Sequence, residues 1–312
     1  MDSTPPGGSG NGSGNGHGLV AFRERAPGKP IRKDERVIAE RGLYVESWLP
    51  ERRSRRKPLY LLHGELGGSW LWHSLLGFLA ARGWEGHAIN LRGHYWSETA
   101  DFDSVDLQTY IDDALAGAGS LARPPVVIGH GMGGLLALKV AETVPIAGMV
   151  LLSPALPAPL LPPPPAHVTR LMPRRFRREM IGWDGPVEQI QATNADLSVA
   201  DAARVQHLMG AESGAARRQM LEGVAIDRTA LPDVPRLVIG GGADSRFDVV
   251  RVHEQHRARE HPRESPECAG LVLVHQMQLQ RALLAIDRVL GAGVEVELLQ
   301  LPGAVLHGQR AA

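Results

Sequence analysis

Short apolar segments alternate with amphipathic segments along most of the chain, and this alternation constrains the fold more than any other feature. Strands are predicted at 58–64, 86–97 (a strand and its loop), 126–130 and 147–153, and helices at 69–84, 106–121 and 134–144. The connections between them are short, which favours a parallel sheet covered by helices on both faces. The sequence therefore predicts an α/β protein with a mostly parallel central sheet.

Pro and Gly mark the boundaries of this pattern. A hairpin is predicted around Arg41-Gly42, and "PALPAPLLPPPP" interrupts the alternation after Ser153 with an extended polyproline segment. The polar, helical stretch that follows is predicted to form a lid over a cleft. Four regions result: a disordered Gly/Ser/Asn-rich tail (1–30), a first part of the core (31–153), a helical lid (154–230) and a second part of the core (231–312).

Composition narrows the classes of function. Lys plus Arg and Asp plus Glu are each 34, so the balanced charge gives no support for a nucleic-acid partner. Cys268 is the only cysteine, which excludes an intrachain disulfide and a CxxC metal site. No apolar run is long enough to span a bilayer, and residues 1–18 lack the apolar core of a signal peptide. We expect a cytoplasmic protein, without membrane insertion or cofactor, that acts on a small molecule.

Four motifs follow predicted strands, in an order that matters for function. They are "HGELGG" (63–68), "GHGMGG" (129–134), "GGGAD" (240–244) and "LPGAVLH" (301–307). A small loop such as the first can direct a backbone N–H into a cleft. The glycines of the second permit a sharp strand-to-helix turn at the positive end of a helix dipole.

These motifs, with "LRGHYWSE" (91–98) and the position of the lid, resemble the α/β-hydrolase superfamily from about Arg36 to His307. Members carry a nucleophile, an acid and a histidine in that chain order. The resemblance implies that Gly131 occupies the nucleophile position, that Asp244 is the acid and that His307 is the histidine. It also implies an oxyanion hole made by two backbone N–H groups, those of Glu65 and Met132.

Further candidates surround this predicted cleft. His63 and His130 are expected as polar wall groups, with either one as an alternative base. Tyr95 stands where the family often has Gly, and it is expected to shape the pocket. Ser153 and Ser97 are candidate substitute nucleophiles, although neither is expected to lie on a strained turn.

A glycine at the nucleophile position leaves three functions open. The chain can hydrolyse a small or medium apolar ester, or another carbonyl substrate, by means of water and an Asp244–His307 base. It can instead run base chemistry without a covalent intermediate, as a lyase, cyclase or oxygenase does. It can also be a catalytically silent ligand-binding or interaction protein. Dinucleotide binding is disfavoured, because no acidic residue ends the strand that follows "GHGMGG".

Overall fold

The computed structural model describes residues 31–158, 160, 164–194, 197–241 and 304–309. The predicted tail (1–30), the candidate acid Asp244 and Cys268 lie outside these residues. The expected disorder of the tail and the role of Asp244 therefore stay predictions.

An eight-stranded sheet forms the centre of the described chain. Its strands pair in the order β1-β2-β4-β3-β5-β6-β9-β10. Their bounds are β1 Ile31–Ile38, β2 Leu43–Pro50, β3 Leu59–Leu62, β4 Gly86–Ile89, β5 Val126–His130, β6 Gly148–Leu152, β9 Arg236–Gly241 and β10 Ala304–Gln309. The five strands from β4 to β9 pair in parallel, and the remaining pairs are antiparallel. The predicted α/β-hydrolase fold, with a mostly parallel sheet flanked by helices, is confirmed.

Helices cover both faces of this sheet. Those of the core are α1 His73–Ala80, α2 Leu107–Gly119 and α3 Met132–Thr143. The predicted helix 69–84 is shorter than expected: a 3₁₀ turn at Ser69–Trp72 precedes α1, and the chain turns at Gly83, where φ is +86°. The side chain of Asp106 caps α2 by accepting a hydrogen bond from the Thr109 N–H, as its sequence position favours.

Alternation along the strands builds two apolar layers. In β3, Tyr60 and Leu62 join the layer that contains α2 and α3, whereas Leu59 and Leu61 join the layer that contains α1. All four side chains are buried. A strand that is apolar on both faces has this pattern because successive side chains point to opposite faces.

Residues 154–230, here called the insertion, lie between β6 and β9. Their elements are α4 Ala166–Arg170, β7 Arg175–Arg177, α5 Val187–Thr193, α6 Val199–Leu208, β8 Ala211–Ser213 and α7 Gly214–Glu222. The strands β7 and β8 pair with each other, separately from the central sheet. Within the described part of the chain, no helix has the length and apolar character needed to cross a bilayer.

Candidate active site

The turn between β5 and α3 has the backbone conformation of a strained elbow. Gly131 lies between the strand and the helix with φ 54° and ψ −121°, where residues other than glycine carry a cost of about 1–3 kcal/mol. The next residue, Met132, begins the 12-residue helix α3. The sharp turn predicted for this motif is therefore present, with Gly131 at its apex.

The glycines of this turn differ in what surrounds them. A Cβ atom on Gly129 would overlap the carbonyl oxygen of Gly133, and a Cβ on Gly133 would overlap the carbonyl oxygen of Leu62. A Cβ on Gly131 would meet only the Cα of Gly64, at 3.7 Å, among the described residues. Close packing thus requires glycine beside the apex, whereas the apex itself has room for a side chain.

The end of β6 holds the elbow from one side. The Gly131 N–H donates to the carbonyl of Leu152 (3.1 Å), and the Gly131 carbonyl accepts from the Ala155 N–H (2.8 Å). Between these two residues lies Ser153, with φ +37°, and its buried Oγ finds no hydrogen-bond partner in the described chain. No strained turn was expected at Ser153, so its positive φ differs from the prediction.

The second candidate serine has a structural role. The Ser97 Oγ donates to the carbonyl of Asn90 (2.5 Å) and accepts from the Tyr44 N–H (2.8 Å). Its hydroxyl joins the loop after β4 to strand β2. No hydrogen remains on this oxygen for a base to remove without breaking a contact.

The two candidate oxyanion donors belong to neighbouring segments. Met132 is the first residue of α3, where helix N–H groups have no intrahelical acceptor, and Glu65 lies in the loop after β3. Among the described residues, neither N–H takes part in the backbone hydrogen bonds of turns, loops and caps. Gly64 lies against both Gly131 and the ring of His130, so the loop and the elbow are in contact.

His63 is a fully buried side chain whose two ring nitrogens are both engaged. Its Nδ1 lies 2.8 Å from the Gly64 carbonyl, to which it donates, and its Nε2 accepts from the Leu91 N–H at 3.1 Å. Burial lowers the pKa of His63 to about 3, and the nearby His94 adds to this effect. A neutral ring with no free lone pair serves to join two loops rather than to bind substrate or act as a base.

A buried ionic cluster that the sequence analysis did not identify lies beside His63. The His94 Nδ1 donates to the Arg92 carbonyl (3.1 Å) and its Nε2 donates to the Glu212 carboxylate (3.2 Å). Burial opposes both charges, but the His94–Glu212 attraction raises the pKa of His94 and lowers that of Glu212. Tyr110 also donates to this carboxylate, at 2.6 Å. The cluster is therefore a charged pair with no exposed atoms.

The insertion packs directly on the loop after β3. Leu66 and Trp70 of the core share an apolar cluster with insertion side chains that include Phe176 and Trp183. Arg217 of α7 forms an ion pair with the Glu65 carboxylate, and its guanidinium lies 4.1 Å from the centre of the Phe176 ring. No motif marks Arg217 or Glu212 in the sequence, and each lies about 150 positions from its partner in the loop.

Tyr95 and His130 each contact a glycine of the loop after β3. Tyr95 has φ +47° and packs against the insertion cluster, and its Cβ limits the space at Gly68. His130 is partly buried, with its ring against Gly64. The expected roles of Tyr95 and His130 in shaping a pocket stay predictions.

The structure gives only a backbone position for His307. It lies in β10, which pairs antiparallel with β9, and its Cα partner is Val238. The carboxyl end of β9, at Gly241, pairs instead with Ala304. At about 3.3 Å per residue, this register sets the His307 backbone roughly 10 Å from the strand end that leads toward Asp244. No group of three or more metal-ligating side chains occurs among the described residues.

Comparison with known proteins identifies the family and the fold. A model of the alpha/beta hydrolase family matches residues 59–295. A pyrethroid hydrolase of Sphingobium wenxiniae is 28% identical over 145 residues, which are 45% of this chain, and the chain spans only about half (50%) of that relative's length.

Solved structures share the fold at low identity. A thioesterase domain from the curacin biosynthetic pathway superposes with a TM-score of 0.54 and 16% identity, covering 73% of this chain and 89% of that one. A mutant of the N-acyl homoserine lactonase AidH, in complex with N-hexanoyl homoserine, gives a TM-score of 0.54 and 18% identity, covering 86% of this chain and all of that one (100%).

Proposed function

Since the chain belongs to the alpha/beta hydrolase family, we propose that it hydrolyses a small or medium-sized apolar ester or a related carbonyl compound. The similarity to a pyrethroid hydrolase, an ester hydrolase, supports a substrate of this class. The observation that carries the proposal is the conformation of Gly131, which keeps the geometry of a nucleophile-bearing turn although it has no side chain.

In this proposal the backbone provides most of the electrostatic stabilisation. The N–H groups of Glu65 and Met132 donate to the oxygen that becomes negative when the carbonyl is attacked. Two donors directed at a developing oxyanion are commonly the largest electrostatic contribution to acyl transfer. The dipole of α3 adds to this stabilisation at Met132, because that residue is the first of the helix.

Water replaces the missing nucleophile in the proposed reaction. A water above Gly131, where an added Cβ would meet only the Gly64 Cα among the described residues, attacks the carbonyl carbon while a histidine removes its proton. The tetrahedral intermediate then collapses: the bond from the carbonyl carbon to the alkoxy oxygen breaks, and the protonated histidine donates its proton to the leaving alkoxide. Asp244 and His307 keep the chain order of the family and are the proposed acid and base. His130, whose ring lies against Gly64 beside the elbow, is the competing base.

The absence of a side chain at Gly131 also favours a second candidate, a catalytically silent binding protein on the same scaffold. Loss of the nucleophile in a serine hydrolase costs about 10⁶ in kcat, so a protein of this kind can keep its ligand site while turnover disappears. Base-dependent lyase, cyclase or oxygenase chemistry is a variant of the first candidate, because it uses the same base and oxyanion donors.

Restoring the nucleophile tests the proposal. The wild-type protein, Gly131→Ser and Gly131→Ala are compared on p-nitrophenyl esters of two to eight acyl carbons and on a pyrethroid ester. We expect slow turnover by the wild type, and an increase of at least about 100-fold in kcat for Gly131→Ser but not for the matched Gly131→Ala. An inert wild type with an active Gly131→Ser supports the binding protein. If both are inert, the elbow is not a catalytic centre.

The base is then identified in whichever of these proteins turns over. His307→Ala and Asp244→Asn are expected to lower kcat by about 100-fold or more, whereas His130→Ala has a smaller effect. The reverse order of effects assigns the base to His130 and removes His307 from the mechanism. The pH dependence of kcat/KM in each variant shows which substitution abolishes the acidic limb of the profile.

A further inference from the structure

The insertion forms hydrogen bonds with both backbone polar groups of Leu66, a residue of the loop after β3. The Leu66 N–H donates to the Glu212 carboxylate at 3.4 Å, and the Leu66 carbonyl accepts from the Gly210 N–H at 3.0 Å. The preceding residue, Glu65, pairs through its carboxylate with Arg217. Three polar contacts from residues 210–217 therefore converge on two consecutive residues of the loop.

The Leu66 backbone needs such support. Its φ is +60°, in the left-handed region that a residue with a Cβ atom adopts at an energetic cost. Its side chain is fully buried in the apolar cluster of the insertion. Packing and hydrogen bonds from the insertion thus fix a conformation that the local sequence does not favour.

The Glu212 carboxylate is itself held rigidly. Besides Leu66 and His94, it accepts from the Tyr110 hydroxyl at 2.6 Å and from the Ser213 N–H at 2.8 Å. Hydrogen bonds therefore fill both oxygens, and the side chain is fully buried. A carboxylate fixed by four donors is a precise anchor, because three of them (Leu66, His94 and Tyr110) belong to different segments of the core.

We propose that Glu212 and Arg217 are positioning residues, which set the direction of the Glu65 N–H by clamping residues 65–66 to the insertion. This inference rests on the proposed function, in which that N–H contacts the oxyanion. The region 210–217 then belongs to the catalytic scaffold and does not swing away from the loop during turnover. Neither side chain touches the reacting atoms.

The first test separates kcat from KM. Glu212→Gln keeps the shape of the side chain but loses its charge, and Arg217→Met keeps most of the length and the contact with Phe176. In the Gly131→Ser background we expect each to lower kcat by about 10- to 100-fold with less than a threefold change in KM, because the oxyanion exists only after attack. Arg217→Lys, which retains the charge, is expected to recover part of kcat.

A variant destabilised at a different helix provides the control. Asp106→Ala removes the cap of α2, and the hydrogen bonds of the Asp106 side chain go to Thr109 and Gln219 rather than to residues 64–66. All variants are assayed at the same interval below their own melting temperatures. If Asp106→Ala lowers kcat as much as Glu212→Gln does, then the effect is general destabilisation and the proposal is wrong.

A second readout does not depend on turnover. Hydrogen exchange of the amides of 64–67 is expected to accelerate at least tenfold in Glu212→Gln and in Arg217→Met, and to stay unchanged in Asp106→Ala. Unchanged exchange in the first two variants overturns the clamp even if the enzyme is active. Accelerated exchange in a protein that has no esterase activity supports the clamp while the proposed function fails.

Discussion

The elbow and the loop after β3 adjoin each other, but different parts of the chain hold them in place. Within 129–134 the geometry depends on glycines that pack against backbone a few residues away or on the next strand. The loop at 64–67 instead depends on Glu212 and Arg217, about 150 positions later. The elbow thus depends mainly on the central sheet and its ends, whereas the loop also depends on contacts from the insertion.

This difference predicts how each region responds to substitution. At Gly129 and Gly133 the elbow tolerates almost no added volume, because their neighbours are backbone atoms that cannot rotate aside, whereas the apex Gly131 has room. The loop is held by side chains, so that single substitutions weaken its geometry without removing the fold. Mutational sensitivity should therefore appear as lost stability at the elbow and as lost catalytic geometry at the loop.

The largest expected effect is on the elbow. Gly129→Ala places a Cβ against the Gly133 carbonyl oxygen, and we expect it to lower the free energy of unfolding by about 3 kcal/mol or to prevent folding. Gly119→Ala is the matched control, since a Cβ there meets nothing within 4 Å. Urea unfolding compares the two. Equal stabilities would show that the elbow is not sterically constrained.

A smaller effect on the free energy of unfolding is expected at Glu46, a buried residue of β2 that contacts the residues following the loop at 64–67. The Glu46 carboxylate accepts from the Ser69 hydroxyl and from the His73 Nε2, each at 2.8 Å. Although burial opposes its charge, these hydrogen bonds and that of Trp48 lower the pKa of Glu46 to about 2.

Because this pKa lies below its value in the unfolded chain, Glu46 stabilises the folded state above about pH 4.5, and this contribution is lost as the pH falls toward 2. Between pH 6 and pH 3, the free energy of unfolding of Glu46→Gln should therefore fall by about 2 kcal/mol less than that of the wild type. The exposed Glu51→Gln serves as control, and urea unfolding at each pH measures the difference. Parallel curves for the wild type and Glu46→Gln would remove Glu46 from this role.

His63 also makes the free energy of unfolding depend on pH over the same range. Its pKa of about 3 lies below the ordinary value of 6.5, so the unfolded chain binds a proton that the folded chain excludes. Stability therefore falls as the pH decreases from about 6.5 toward 3, in the same direction as for Glu46. Glu46→Gln retains this contribution, which makes the comparison with the wild type specific to Glu46.

The smallest expected effect has the opposite sign. Ser153→Ala removes a buried hydroxyl that has no partner in the described chain, and should raise the free energy of unfolding by about 1 kcal/mol. Ser97→Ala removes a hydroxyl with two partners and should lower the free energy of unfolding by about 1–2 kcal/mol. Thermal unfolding compares the two. A destabilised Ser153→Ala would mean that its hydroxyl has a partner in the folded protein.

The sequence predicted the elements that depend on local pattern. The strands at β3, β5 and β6, the capped helix α2 and the hairpin at Arg41-Gly42 are present, because periodicity, caps and left-handed glycines act over a few residues. The predicted helix 69–84 was too long, since apolar spacing alone does not show where a 3₁₀ turn replaces an α-helical one.

The sequence alone determined the family, the parallel sheet and a glycine at the apex of the elbow. Strand alternation and tight-turn glycines can be recognised from residues that are close together in the sequence. Only the tertiary structure decided that both ring nitrogens of His63 are engaged, that Ser153 is strained, and that Glu212 and Arg217 contact the loop. Those properties arise from burial and from contacts between distant segments, and no local pattern encodes a partner about 150 residues away.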